Sequence, residues 1–156
     1  MARMRKFTFR LDPILDLKES LERAAQVELG KLQAAHREAV AELDRLRQHR
    51  DDQRVQLSNQ QCQLQLNMER IESHVEYLTL VERHIREQQE VIVDLAQKVA
   101  AQRDQLIART KEKNVLLKLK ERQKSIHAEE VLRDEEQSAD EVVTTRSSRG
   151  MVMGGE

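Results

Sequence analysis

Five histidines (His36, His49, His74, His84 and His127) and a single cysteine, Cys62, are the side chains of this 156-residue chain that metal or nucleophilic chemistry would draw on first. A zinc pair on a helix needs two ligands one turn apart, so that both imidazoles share a face. No two of these histidines are four residues apart, and Cys62 has no second cysteine at metal-site spacing. They read as solvated histidines on helix faces. Only four glycines occur, three of them in the last ten residues, so no glycine-rich loop can cradle a phosphate. A narrow pair of helices also lacks the concave pocket in which a substrate is desolvated. The sequence therefore predicts no enzyme, no cofactor and no metal site.

Chemistry of recognition is better represented. Within Lys111 to Lys124, Val115, Leu116, Leu117 and Leu119 form an apolar cluster inside a basic run that includes Lys118, Lys120 and Arg122. Apolar anchors give affinity and flanking charges orient and accelerate docking, so this segment reads as a protein-docking surface. A basic helix beside a coiled coil also suggests a DNA-binding zipper, but interleaved leucines and nearby acids spoil the uniform basic face that phosphate tracking needs. An ordinary solvated coil end is the plain alternative. Phe7 and Phe9 are too apolar for a free tail and too few to fold alone. They are expected to pack on the second helix near Leu116 or on a partner. Tyr77, with His84 and Gln88 following at helical spacing, is either a rigid contact surface or simple packing against the opposite helix near Leu43.

What positions these groups is a seam. From Leu78 through Val81, Ile85, Gln88, Ile92, Leu95, Val99, Gln102 and Leu106 to Lys120, seam residues recur at alternating three- and four-residue steps. That average of about 3.5 keeps one helical stripe facing a partner helix. An earlier seam runs from Ile14 and Leu17 through Ala25, Leu32, His36, Ala39, Leu43 and Leu46 to Leu57. With 35% charged and 2% aromatic residues the composition is that of long helices, not of a globular core. Polar residues on the stripe, Gln88 and Gln102 among them, interrupt it and act to fix register or ease a change of partner.

The chain divides accordingly. Residues 1–12 form a basic arm, Asp12-Pro13 starts a first helix over 13–57, and the uncharged stretch around 58–66 is expected to reverse the chain. A second helix covers 67–137, and 138–156 form an acidic-to-flexible tail. One uninterrupted helix in a straight homodimer is the alternative to the hairpin. With a reversal near Gln60, residue i faces roughly position 120 − i. The second helix would then overhang the first from about Arg109 to Lys124. There, eight bases from Arg103 to Lys124 give way to seven acids against Arg133 alone from Glu129 to Glu141. No apolar run is long enough to span a membrane, and the basic start lacks the apolar region of an export signal. The expected location is the cytosol.

Two stretches resemble the FliJ family of flagellar export proteins: Phe7-x-Phe9-Arg10-Leu11-Asp12-Pro13-Ile14-Leu15-x-Leu17, and Leu116-Leu117-x-Leu119-Lys120-Glu121-Arg122 followed by Glu129, Arg133, Glu135, Glu136, Gln137, Asp140, Glu141 and Arg146. Ser138 stands where the family's Glu-Gln-Lys-x-x-Asp-Glu ending has lysine. The resemblance implies an all-α, two-helix antiparallel coiled coil similar to the central stalk of rotary ATPases. It further implies a cytoplasmic component of the flagellar type III export apparatus, peripheral to the membrane through its partners. Those partners would be the hexameric export ATPase, the cytoplasmic part of the export gate, and export chaperones. On that reading Phe7, Phe9, Leu116, Leu117, Leu119, Lys120 and Arg122 face the ATPase, and Tyr77, His84 and Gln88 face the gate or chaperones. No nucleic acid is expected. A passive coiled-coil tether and, less favoured, a DNA-binding coiled coil are the other functions considered.

Overall fold

The computed structural model of the chain describes residues 6–152. Arg3 and Arg5 of the basic arm, and residues 153–156 of the tail, lie outside the described residues. The fold is all-α, with two long helices packed antiparallel as a hairpin: α1, Asp12–Gln61, and α2, Met68–Val152. Among the described residues there is no strand. Two compact units result, Glu22–Ala108 and Met1–Leu21 with Arg109–Glu156.

In the unit Glu22–Ala108 the seam is the core. Leu43, Val81 and Ile85 are buried together, with Leu46 and Ile92 packed against them. Ala25 and Ala39 are also buried, each 7% exposed. Gln88 Nε2 donates to the Ala39 carbonyl at 2.9 Å, and Gln102 Nε2 donates to the Ala25 carbonyl at 3.2 Å. Fourteen residues forward along α1 thus match fourteen back along α2, which is two heptads.

The reversal falls inside the uncharged stretch, in its second half, at residues 62–67. α1 does not stop at Leu57 but continues to Gln61, closed by Cys62 N–H on the Ser58 carbonyl at 3.2 Å. Glutamine is a good helix former, and absence of charge does not break a helix. α2 begins behind Asn67, whose Oδ1 accepts the Arg70 N–H at 3.1 Å, an N-cap that relieves an orphan donor. Moving a reversal by a few residues shifts every facing pair by twice as many. Ala25 accordingly meets Gln102 rather than a residue near Leu95, a shift of one heptad that leaves the same stripe in the seam.

In the other unit the same shift removes the expected overhang. Lys18 Nζ meets Glu112 Oε2 at 2.7 Å and Lys120 Nζ meets Asp12 Oδ1 at 2.6 Å, so α1 lies against the stretch from Glu112 to Lys120. Asp12, expected to cap the helix, instead gives its carboxylate to an ion pair with Lys120. Phe9 (4% exposed) and Leu15 (3%) are the buried side chains among the described residues of this unit. α2 also runs past Gln137, where the sequence pattern suggests an end. From Leu132 to Gly150 every residue is exposed, and hydroxyls fold back on their own helix: Ser138 to the Asp134 carbonyl, Thr144 to that of Asp140 and Thr145 to that of Glu141.

Gly30 sits inside α1 with open space where a Cβ would stand. Gly30→Ala should therefore raise stability by about 1 kcal/mol, through helix propensity and a less flexible unfolded chain, as read by chemical denaturation.

Candidate partner interface

The docking segment read from the sequence is divided by the helix it lies on. Leu116 and Leu117 are half-buried, whereas Leu119 is 37% exposed. Lys120 is engaged: its Nζ holds Asp12 and lies 5.8 Å from the centre of the Phe9 ring. Phe7 sets its ring edge-on to His127, with centroids 5.6 Å apart. The arm is thus a strap across α2 from Lys120 to His127, farther along than Leu116. Phe9 is an internal anchor, so its contribution to any partner contact would be indirect.

What remains exposed is a second stripe. Val115 (67% exposed), Leu119 and Ile126 (47%) follow one another at steps of four and seven, with exposed Arg122 at the intervening place. This 4-3-4 spacing is that of a coiled-coil seam with no helix upon it. Lys118 and Lys124 border it, and neither they nor Arg122 has an acidic partner among the described residues. Val115 and Ile126 were legible in the sequence as seam-spaced residues. Ile126 is missed and Val115 is left undistinguished within the cluster, because which of the adjacent apolar residues faces inward depends on register.

Glu112 is bridged by two cations, Lys18 at 2.7 Å and Arg109 at 3.7 Å. Its carboxyl is held below the usual value of 4.5, first by the Lys18 hydrogen bond, then by the Lys18 charge, against a smaller effect of burial, and last by Arg109. Stabilisation from such a depressed carboxyl is present above the unfolded value and is lost as pH falls through the folded one. Solvent screening keeps the contribution small.

In the unit Glu22–Ala108 the other three candidates do not act as one face. The Tyr77 hydroxyl lies 2.8 Å from His49 Nε2, with the rings edge to face, so its partner on α1 is His49 rather than Leu43. Gln88 is turned inward onto the Ala39 carbonyl. His84 is exposed and lines a shallow groove of about 350 Å³ with Glu42, Leu46 and Glu87. Tyr77, 43% exposed, and His84 remain accessible, whereas the Gln88 amide is committed to register. Arg54 Nη2 donates to Glu82 Oε1 at 2.6 Å nearby and ties the two helices. Cys62 is exposed in the turn, and among the described residues no three His, Cys, Asp or Glu are grouped to hold a metal ion. No described helix is long and apolar enough to cross a membrane.

A family model described as the flagellar FliJ protein matches residues 7–151. The chain belongs to the FliJ family. It is accordingly a flagellar, type III export-related protein. The match begins at Phe7, the first residue of the strap, and runs through both helices of this FliJ-family chain. In fold it is similar to a chain described as a YscO homologue from Chlamydia trachomatis. The two share 21% identity over 94% of this chain and 98% of that one, with a TM-score of 0.50. No curated protein sequence matches it.

Two outcomes follow from the strap and the bridge. Phe9→Ala should cost about 3 kcal/mol in thermal or chemical melting, with faster amide exchange around Lys120, while Phe9→Leu retains most of the stability. Carboxyl NMR titration of Lys18→Met should move the Glu112 midpoint back up toward 4.5, and an unchanged midpoint would remove the bridge as its cause.

Proposed function

We propose that this chain is a coiled-coil accessory and coupling factor of flagellar protein export, which associates with the export ATPase ring and links it to the membrane export gate and export chaperones. The observation that carries the reading is the uncovered stripe of Val115, Leu119 and Ile126 bordered by unpaired bases. An apolar seam without a helix on it is suited to an apolar surface of a partner, and the bordering cations favour an acidic rim. The family to which the chain belongs supplies the export setting. Leu116 and Leu117 support the stripe from beneath, Phe7, Phe9 and Lys120 hold the strap that stiffens this part of α2, and Arg122 stands in the stripe itself. Tyr77 and His84 offer a separate, smaller contact for the gate or a chaperone, with Gln88 holding α2 in place behind them. The chain acts by contact and contributes no chemistry of its own.

The test is ATPase turnover and binding measured with and without this protein. A triple Val115→Ala, Leu119→Ala, Ile126→Ala variant should dissociate faster at any salt, each truncation costing about 1 to 3 kcal/mol. Reversing Lys118 and Arg122 should slow association at low salt only. Turnover unaffected by the wild-type chain would leave a passive tether, and binding unaffected by the triple variant would remove the stripe as the docking element.

A further inference from the structure

Between the two glutamine layers of the unit Glu22–Ala108 one flank of the seam is open. A groove of about 410 Å³ opens there, lined by His36 and Arg37 of α1 and by Ala96, Val99, Ala100 and Arg103 of α2. Its origin is in the sequence: His36 takes a seam position, and the small side chains of Ala96 and Ala100 leave the space beside it unfilled. No carboxylate lines it. Arg37 and Arg103 have no acidic partner among the described residues. Two unpaired guanidinium groups above a floor of alanine and valine suit carboxylates carried on a helix, since the guanidinium fork donates to both oxygens of a carboxylate and alanine admits a helix closely.

The chain itself carries such a helix. Residues 129–141 hold seven acids against Arg133 alone, and none of the seven is in an ion pair among the described residues. Every residue from Leu132 to Val143 is exposed. Leu132, Glu136, Ala139 and Val143 recur at steps of four, three and four, a seam with acids around it. We propose that the groove takes residues 129–143 of a second copy of this chain. Carboxylates of the incoming helix meet Arg37 and Arg103, and its small apolar stripe lies over Ala96 and Ala100. The pairing is between copies because α2 is unbroken from Met68 to Val152, so reaching the groove of the same chain would require breaking that helix. Paired exposed charges make the association weak and salt-sensitive.

Sedimentation velocity of the full chain tests this at about 20 mM and about 0.5 M salt, conditions that differ several-fold in screening length. The expected result is concentration-dependent association at low salt that disappears at high salt. R37E/R103E and E135R/E136R should each weaken it at least about tenfold, and an equimolar mixture of the two should restore it, because the reversed groove then meets the reversed helix. All four positions are solvent-exposed, and circular dichroism checks that each variant keeps its helix. A chain that stays monomeric at low salt up to about 1 mM, association indifferent to R37E/R103E, or a mixture that fails to restore it would overturn the proposal. Binding of the wild-type monomer to phosphatidylserine vesicles, lost in R37E/R103E, would instead assign the groove to an anionic lipid surface and equally overturn the second-copy assignment.

Discussion

Two side-chain amides set the register on which everything else in the unit Glu22–Ala108 depends. Gln88 and Gln102 project into the seam and donate to the carbonyls of Ala39 and Ala25. A helix carbonyl already accepts one N–H but has a second lone pair, so the extra bond costs α1 nothing. Alanine at the receiving position is what makes the approach close enough. A one-heptad slip would bring the two amides opposite Leu32 and Leu46 or their neighbours, where branched side chains cover the carbonyls. A half-buried amide left without its partner costs about 1 to 3 kcal/mol, and two of them act together. An all-leucine seam would be stickier, but its heptads would be nearly interchangeable. The polar layers exchange some stability for one alignment.

That trade explains what could be read in advance. The seam, the all-α class and the two-helix arrangement were legible because a 3.5-residue period survives the interruptions, and glutamine was recognisable as a polar layer. The register was not. A heptad repeat looks the same after a shift of seven, and with no glycine or proline in the uncharged stretch the reversal had only one mark, Asn67 placed to cap α2. The misplaced facing pairs share this one source. The ion pairs Lys18–Glu112 and Asp12–Lys120 are invisible until register is known, and without them Arg109 to Lys124 reads as an overhang. The same uncertainty hid which of Val115, Leu116, Leu117 and Leu119 face outward. In contrast, Phe7 and Phe9 betrayed the strap by hydrophobicity alone, because two phenylalanines in an otherwise basic arm have to be buried on something.

The strap illustrates how little apolar surface a paired-helix unit has to work with. No large side chain in the described chain is fully buried, and the buried set is dominated by isolated aliphatic residues along a line. In such a structure each layer is stabilised mainly by its immediate neighbours, so stability is local and varies along the helices. Near the reversal Gln60 Oε1 and His74 Nε2 are buried without hydrogen-bond partners, which makes that layer comparatively cheap to open. Around Phe9 the opposite holds: the ring is buried, a cation lies over it, and an ion pair closes the same lysine onto Asp12. One residue, Lys120, therefore joins the strap, the start of α1 and α2. A substitution there would loosen three contacts together, which a charge count along the sequence would not reveal.

Beyond Val131 α2 has no neighbour among the described residues and must be stabilised by its own sequence. Here that sequence works against itself. Glu129 and Arg133 are placed as a favourable i,i+4 pair, but Glu130 with Asp134 and Glu136 with Asp140 are like charges one turn apart, each destabilising by about 0.2 to 0.5 kcal/mol. Farther on, Thr144, Thr145, Ser147, Ser148 and Gly150 are weak helix formers, and the hydroxyl bonds to preceding carbonyls do not offset that. Only Arg146 and Arg149 favour the helix, by lying near the negative end of its dipole. An isolated helix of this composition is marginal in water. A cationic surface changes the balance, since it relieves the repulsion between the acids at the same time as it covers Leu132 and Val143. The repulsion among its acids therefore makes the stability of this segment sensitive to nearby positive charge.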